Sequence, residues 1–245
     1  SRAALGSTPR AARRAVMAFA SNFGRILSPT FQPSSQAKVE GDWWLSGGID
    51  PDDCVAAYQP KGAASYAASK VNLANPGTHD AVDGSAYPTW DASDGWTGGS
   101  SRYLTTDVQP PSGDESWSML VRFSDATPDY PDWNIHAIFI SESGYGRGFG
   151  VTIESNKLWL RNGGFYNAGK PASGVAGVAG KTAYFNGSNL GTIGDDEYYR
   201  DAPMKFFVNY NNAGFFNGKI QCAAVYNITL TSAQMAALST AMAAL

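Results

Sequence analysis

The feature that most constrains the fold is a series of short apolar segments separated by turn residues, running from Cys54 towards the end of the chain. Several segments alternate apolar and polar side chains, which is typical of antiparallel strands with one buried face. Asn-Gly pairs at 162–163, 186–187 and 217–218 suit hairpins or other tight turns, because Asn and Gly tolerate a positive φ. The predicted strands are CVAAY (54–58), RYLTT (102–106), SWSMLVRF (116–123), NIHAIFIS (134–141), GFGVTIE (148–154), KLWLR (157–161), KTAYF (181–185), KFFVNY (205–210) and KIQCAAVYNI (219–228).

The last segment, TSAQMAALSTAMAAL, predicts a short helix. Thr231 and Gln234 have the spacing of a capping box, in which each side chain satisfies an orphan backbone donor. Apolar residues then recur at steps of three and four, at Met235, Leu238, Met242 and Leu245. Many strands and one terminal helix predict an all-β fold: a two-sheet antiparallel jelly-roll sandwich with a short C-terminal helix and an extended N-terminal arm.

The N-terminal residues 1–40 differ from the rest in charge. Six basic residues and no acidic one precede Glu40, whereas the remaining chain carries 12 basic and 21 acidic residues. A proline-punctuated segment of this composition cannot bury enough apolar surface alone to offset its ordering entropy. We therefore expect it to dock to other copies of the chain or to other structural subunits, through Phe19, Phe23, Arg25, Ile26, Leu27 and Phe31.

The domain organisation that follows is a basic assembly arm (1–40), a linker (41–53) and a jelly-roll domain (54–245). In the linker Trp43 and Trp44 are adjacent, so in an extended chain they would face opposite ways. The acidic body argues against nucleic-acid binding, because phosphate contacts need clustered Lys and Arg. No apolar run approaches the ~18–20 residues that a bilayer span requires.

Two cysteines, Cys54 and Cys222, lie towards the two ends of the predicted domain. Two free buried thiols are one interpretation. A single disulfide is the other, and it would be natural if the first and last strands of the domain pair. Sequence alone leaves both open, because it does not give the Cα separation that decides a disulfide.

The glycine-rich stretch GVAGVAGKT (174–182) invites comparison with a phosphate-binding loop. The required spacing places a glycine at position 175, where the chain has Val175. A phosphate loop also opens a helix, whereas Lys181 here opens a predicted strand and turn. The stretch is therefore interpreted as a flexible glycine-rich connection that enters a hairpin.

Catalytic patterns are weak. The two histidines, His79 and His136, have no second ligand at zinc spacing and are expected to be structural. Glycoside hydrolysis needs two carboxylates about 5–10 Å apart, and no predicted strand has the E-x-D-x-E spacing of β-sandwich glucanases. Glu154 stands alone at the end of its strand. We therefore expect a protein that is not an enzyme.

Acidic and aromatic loops are the candidate binding sites. Carboxylate oxygens are the ligands that calcium prefers, and two loops offer them: Asp125, Asp129 and Asp132 in the first, and Asp195, Asp196 and Glu197 in the second. Solvated turn residues are the simpler interpretation of both. Aromatic rings beside polar groups suit sugar binding, which makes the candidate glycan-binding residues Tyr130, Trp133, Asn134, Tyr198 and Tyr199.

Four segments of the body resemble the laminin-G-like, concanavalin-A-like jelly-roll family. WDASDGWTGGSSRYLTT (90–106) resembles the approach to an early strand, and SWSMLVRF resembles the family's "sfTvsaWv" strand. KTAYFNGSNLGTI (181–193) resembles its "lYvDGvlvg" hairpin, and GKIQCAAVYNITLTSAQMAAL (218–238) resembles its closing strand and helix. The resemblance implies two packed antiparallel sheets and binding of glycans or proteins, sometimes with calcium.

Residues 56–77 are similar to segments of phage and environmental surface proteins. Together with the arm, this favours a non-enzymatic structural or adhesive subunit of an extracellular or virion assembly, such as a capsid decoration, a fibre or a surface layer. The alternatives are a free carbohydrate-binding module and, least favoured, a glycan-cleaving enzyme. Calcium is the one cofactor considered, and glycans are the candidate ligands.

Overall fold

Two antiparallel sheets lie face to face, and a C-terminal helix covers the outside of one of them. The structure, a computed structural model, describes residues 41–126, 136–143, 148–169, 171–195 and 202–245. The fold class predicted from the sequence is confirmed for this part of the chain. The predicted arm, with its assembly residues from Phe19 to Phe31, lies outside the described residues.

Sheet A has eight strands within the described ranges. Its order is β13-β12-β11-β6-β15-β4-β3, and β1 also pairs with β15 beside β4. All strand pairs are antiparallel. The strands are β1 (Cys54–Tyr58), β3 (Thr89–Asp91), β4 (Gly95–Thr97), β6 (Ser118–Ser124), β11 (Gly174–Ala179), β12 (Thr182–Phe185), β13 (Ser188–Thr192) and β15 (Lys219–Tyr226).

Sheet B has seven strands in the same described part of the chain, in the order β10-β9-β8-β7-β14-β5-β2. Its pairs are also antiparallel. The strands are β2 (Val82–Asp83), β5 (Leu104–Thr105), β7 (His136–Glu142), β8 (Gly148–Glu154), β9 (Lys157–Asn162), β10 (Phe165–Asn167) and β14 (Lys205–Phe206). The remaining elements are two 3-10 turns (Trp43–Leu45 and Pro51–Asp53), α1 (Tyr66–Ser69) and α2 (Ser232–Ala244).

An inner core fills the space between the sheets, and aromatic rings join its two sides. Phe206 of sheet B stacks on Phe139 with ring centroids 3.9 Å apart. It also meets two rings from sheet A edge-on, Trp96 at 5.1 Å and Tyr58 at 5.4 Å. Such pairs add about 0.5–1.5 kcal/mol each beyond the area they bury. All four rings are fully buried, so the cluster fixes how the sheets face each other.

An outer core lies between sheet A and α2. Strand β15 contributes to both cores: Ile220 faces sheet B, whereas Cys222, Ala224 and Tyr226 face the helix side. The capping box predicted for α2 is confirmed. The Thr231 hydroxyl accepts a hydrogen bond from the backbone N–H of Gln234, and the side-chain oxygen of Gln234 accepts one from the backbone N–H of Thr231. The helix presents Met235, Leu238 and Met242, which are fully buried as their spacing predicted.

The glycine-rich stretch corrects the sequence interpretation. Residues 174–179 form strand β11, which pairs with both β6 and β12, rather than a flexible connection. Val175 and Ala179 face the outer core, and Ala176 and Val178 face the inner core. A Cβ at Gly177 would lie 2.7 Å from the backbone oxygen of Met119 in β6 and 2.9 Å from Cε of Met235, so a glycine fits where β6 and α2 both approach the strand.

The segment 41–53, expected to be a linker, packs against the domain. Trp43 and Trp44 lie in a 3-10 turn, and both are buried in the outer core. Their rings meet edge-on at 5.9 Å, whereas an extended chain would have placed them on opposite sides. The hydroxyl of Tyr226 donates a hydrogen bond of 2.8 Å to the Trp44 carbonyl, which anchors the turn to β15.

The disulfide considered between Cys54 and Cys222 is wrong for this structure, in which both residues are free, buried thiols. The first and last long strands of the domain do pair, but their register places Cys54 opposite Tyr226. Cys222 lies four residues further along β15, about 13 Å away at the rise of a strand. A disulfide needs Cα atoms within about 7 Å.

Thiol titration tests this arrangement. Burial raises the pKa of the Cys54 thiol to about 12, and it also raises the pKa of the Cys222 thiol. At pH 8, without reductant, we expect no reaction of a thiol reagent with the folded protein and two reactive thiols per chain in denaturant. Unfolded thiols ionise at about pH 8.5, whereas burial keeps the folded thiols protonated. The free energy of unfolding should therefore fall as the pH rises above that value. Two missing thiols in denaturant would instead indicate a disulfide.

Candidate functional site

An aromatic pair lies on the outer face of sheet B, near the edge formed by β9 and β10. In β9, Leu158 and Leu160 point into the inner core, so the alternation of the strand turns Trp159 and Arg161 outwards. In β10, Phe165 lies opposite Arg161, and Asn167 lies opposite Trp159. The outward side chains of the two strands therefore form one small surface.

The two rings of this surface touch. Trp159 and Phe165 meet at 64° with ring centroids 4.5 Å apart. Phe165 is 46% exposed, so its ring is accessible to a ligand. Asn167 is exposed beside them. We call Trp159, Phe165 and Asn167 the aromatic platform.

A buried ion pair supports the platform from below. Nη2 of Arg161 lies 2.6 Å from Oε2 of Glu154, and its Nε donates to the Thr152 hydroxyl at 3.0 Å. The guanidinium also lies 5.4 Å from the Trp159 ring, within the range of a cation–π contact. Trp159 Nε1 donates a hydrogen bond of 3.0 Å to the Glu154 carbonyl. The indole is therefore held both by this bond and by the guanidinium over its ring.

This arrangement can present a rigid apolar ring to a ligand with a polar group beside it. The C–H face of a sugar ring stacks on exposed aromatic side chains, and amide groups such as that of Asn167 can bond hydroxyls. The Glu154 carboxylate is occupied by Arg161, which does not suit it to proton transfer. Binding is therefore the chemistry that the platform offers.

Sequence reasoning missed the platform, although a signal was present. A tryptophan at an outward position of an alternating strand, flanked by inward leucines, has no core to enter unless another layer covers it. KLWLR shows this pattern at 157–161. The candidate glycan-binding residues chosen instead, Tyr130, Trp133, Asn134, Tyr198 and Tyr199, lie outside the described residues.

Two of the six candidate calcium ligands are described, and each faces a lysine. Asp125 Oδ2 lies 2.8 Å from Lys219 Nζ, and Asp195 Oδ1 lies 3.2 Å from Lys181 Nζ. Within the described ranges no three metal-binding side chains cluster. Asp129, Asp132, Asp196 and Glu197 fall outside these ranges.

The histidines have local partners. His136 is buried in β7 with Nδ1 2.9 Å from the Phe215 carbonyl oxygen, and Nδ1 of His79 lies 2.6 Å from Oδ1 of Asp107.

Among the described helices, none is long and apolar enough to cross a membrane.

A polar cavity of about 390 Å³ lies on the other sheet, beside the C-terminal end of α2. Lys61, Arg122 and Gln221 are among its lining residues. The cavity and the aromatic platform are built from different strands, β6, β11 and β15 in the first case and β9 and β10 in the second.

Comparison with known proteins gives the fold. No protein-family model and no curated protein matches the chain. Trypanosoma rangeli sialidase is 12% identical, with a TM-score of 0.53 over 76% of this chain and 32% of that chain. The binding domain of botulinum neurotoxin serotype D/C is 14% identical, with a TM-score of 0.55 over 78% of this chain and 53% of that one.

This chain thus spans about a third of the sialidase and about half of the toxin domain. At identities of 12% and 14%, the likeness shows that the β-sandwich fold is shared, and it carries no information about activity. It supports the coarse part of the resemblance drawn from the sequence, namely two antiparallel sheets packed face to face.

The buried ion pair beneath the platform should stabilise the sheet edge. Arg161 is 2% exposed and the Glu154 side chain 15%, so Arg161→Ala leaves a carboxylate with little access to water. We expect a loss of about 3–5 kcal/mol in the free energy of unfolding, measured by denaturant titration. The control is Lys157→Gln, which removes an exposed charge from the same strand. A loss below about 1 kcal/mol, as for exposed pairs, would contradict this role.

Proposed function

We propose that this protein is a non-enzymatic, glycan-binding subunit of an extracellular or virion assembly. In this proposal the sandwich binds carbohydrate, and the basic N-terminal arm attaches it to neighbouring subunits. The observation that carries the glycan part is the contact between the half-buried Trp159 and the exposed Phe165, beside the Arg161–Glu154 ion pair.

A fixed ring suits weak, repeated binding of sugars. The indole of Trp159 is held by its hydrogen bond to Glu154 and by the guanidinium beside it, so it loses little freedom when a ligand stacks on it. An adhesive subunit gains overall affinity from many copies, because multivalency raises binding without new contacts. The laminin-G-like resemblance of the body supports the same function.

The structural role rests on the arm. Its six basic residues could face the acidic body of another copy, since the chain beyond residue 39 carries 12 basic and 21 acidic residues. Opposite charges steer such association and make it sensitive to salt.

A second candidate is a free carbohydrate-binding module, with the arm as a tether. It is favoured by the fact that the described residues from Trp43 onwards already form both cores and a capped terminal helix. Such a body would bind sugar without assembling.

Glycan binding by the platform is tested with Trp159→Ala and Phe165→Ala. On a glycan array and by calorimetry with the glycan it selects, each change should weaken binding by about 1–3 kcal/mol, because each removes stacking area. Tyr87→Ala is the matched control, since Tyr87 is 61% exposed and lies outside the platform.

Trp133→Ala separates the platform from the aromatic loop chosen from the sequence. Loss of binding in Trp133→Ala with full binding in Trp159→Ala would move the site to that loop. Full binding in all of these variants would remove both sites.

The role of the arm is tested by the solution mass of the full chain beside a 41–245 fragment. The structural proposal expects the full chain to assemble and the fragment to be a monomer with unchanged glycan binding. Assembly should weaken as salt rises, because charged surfaces contribute to it. Two monomers would contradict the assembly role and favour the free module.

A further inference from the structure

The polar cavity on the outer face of sheet A has the character of an anion site. Arg122 of β6 lies between Val175 of β11 and Cys222 of β15 in the strand register. Lys61, which follows β1, lines the same cavity. Both side chains are partly exposed, so they border the cavity and remain accessible to a ligand.

Neither cation is neutralised within the described part of the chain. Lys61 has no ion pair or side-chain hydrogen bond there, and Arg122 has one hydrogen bond, from Nη1 to the Met242 carbonyl at 2.6 Å. That bond holds the guanidinium at the end of α2 and leaves further donors of its five for a ligand. The two charges thus border one cavity, and the hydrogen bond to Met242 holds the Arg122 guanidinium there.

The acidic residue that lines the cavity is held by another lysine. Oδ2 of Asp94 lies 2.9 Å from Nζ of Lys219, which also contacts Asp125 at 2.8 Å. Hydrogen bonds from Lys219 to Asp125 and Asp94 raise the pKa of its ammonium group. Asp94 is therefore paired with Lys219 rather than with Lys61 or Arg122.

Uncharged polar groups complete the lining. Gln221, which is 6% exposed, donates from Nε2 to the Ser124 hydroxyl at 2.8 Å. Its Oε1 is buried and accepts no hydrogen bond from the described residues. Asn186 and Ser173 also line the cavity. The cavity therefore offers hydroxyl and amide groups beside its two cations.

We propose that this cavity binds a carboxylated sugar unit, such as a uronate. Arg122 and Lys61 bind the carboxylate, because a guanidinium fork matches carboxylate geometry. Gln221 and the neighbouring hydroxyl and amide groups bind the sugar hydroxyls. A volume of about 390 Å³ lies at the small end of ligand sites, which fits one sugar ring. This site goes beyond the proposed function, because it lies on the other sheet and needs no aromatic platform.

The test is calorimetry of the full chain with sodium glucuronate, beside neutral glucose and inorganic phosphate. We expect saturable binding of glucuronate and at least 10-fold weaker binding of glucose. Lys61→Gln and Arg122→Gln should each weaken glucuronate binding by about 10-fold or more, the loss expected of one charge-assisted hydrogen bond. Arg122→Lys, which keeps the charge, should weaken it less.

Two controls separate the cavity from the platform and from folding. Lys157→Gln removes a lysine charge from sheet B, and Trp159→Ala removes the platform ring; both should leave glucuronate binding unchanged. Lys61→Gln should also keep the melting temperature, because its side chain has no described partner to lose. These results would hold even if the platform bound no glycan.

Several outcomes would overturn the proposal. They are absence of saturable glucuronate binding, equal binding of glucose and glucuronate, and glucuronate binding that survives both Lys61→Gln and Arg122→Gln. Binding of phosphate without glucuronate would overturn the assignment to a sugar, leaving a site for inorganic anions.

Discussion

The structure depends on one constraint: the central strands of sheet A, β6, β11 and β15, are buried on both faces. Strand β15 lies at its centre, with Ile220 in the inner core and Tyr226 in the outer core. Burial on both sides removes the usual polar face of an antiparallel strand. It also requires small residues where α2 approaches, which is why Gly177 and Ala224 lie under the helix.

The same constraint places the polar cavity. Helix α2 covers sheet A only as far as its C-terminal end, where the carbonyl of Met242 accepts a hydrogen bond from Arg122. Beyond that end, the outer face carries charged and amide side chains instead of apolar ones. A helix that ends above a strand thus creates both the apolar cover and the polar recess beside it.

No helix covers the described part of the outer face of sheet B. This face instead carries the ion pair of Arg161 and Glu154, and aromatic rings lie at its edge. The alternation of KLWLR could have predicted that Trp159 points outwards. The contact with Phe165 could not be predicted, because it depends on the pairing of β9 with β10. The members of the cavity come from distant parts of the chain, so no local pattern contained them.

The sequence by itself determined the β-rich class, the Asn-Gly hairpins at 162–163 and 186–187, the capped terminal helix and the alternation that builds the inner core. These features depend on neighbours a few residues apart. Tertiary structure decided the rest. It made GVAGVA a buried strand, set the cysteines about four residues out of register, and gathered Lys61, Arg122 and Gln221 around one cavity. The physical reason is that strand register and helix docking are set by long-range burial, which local periodicity does not encode.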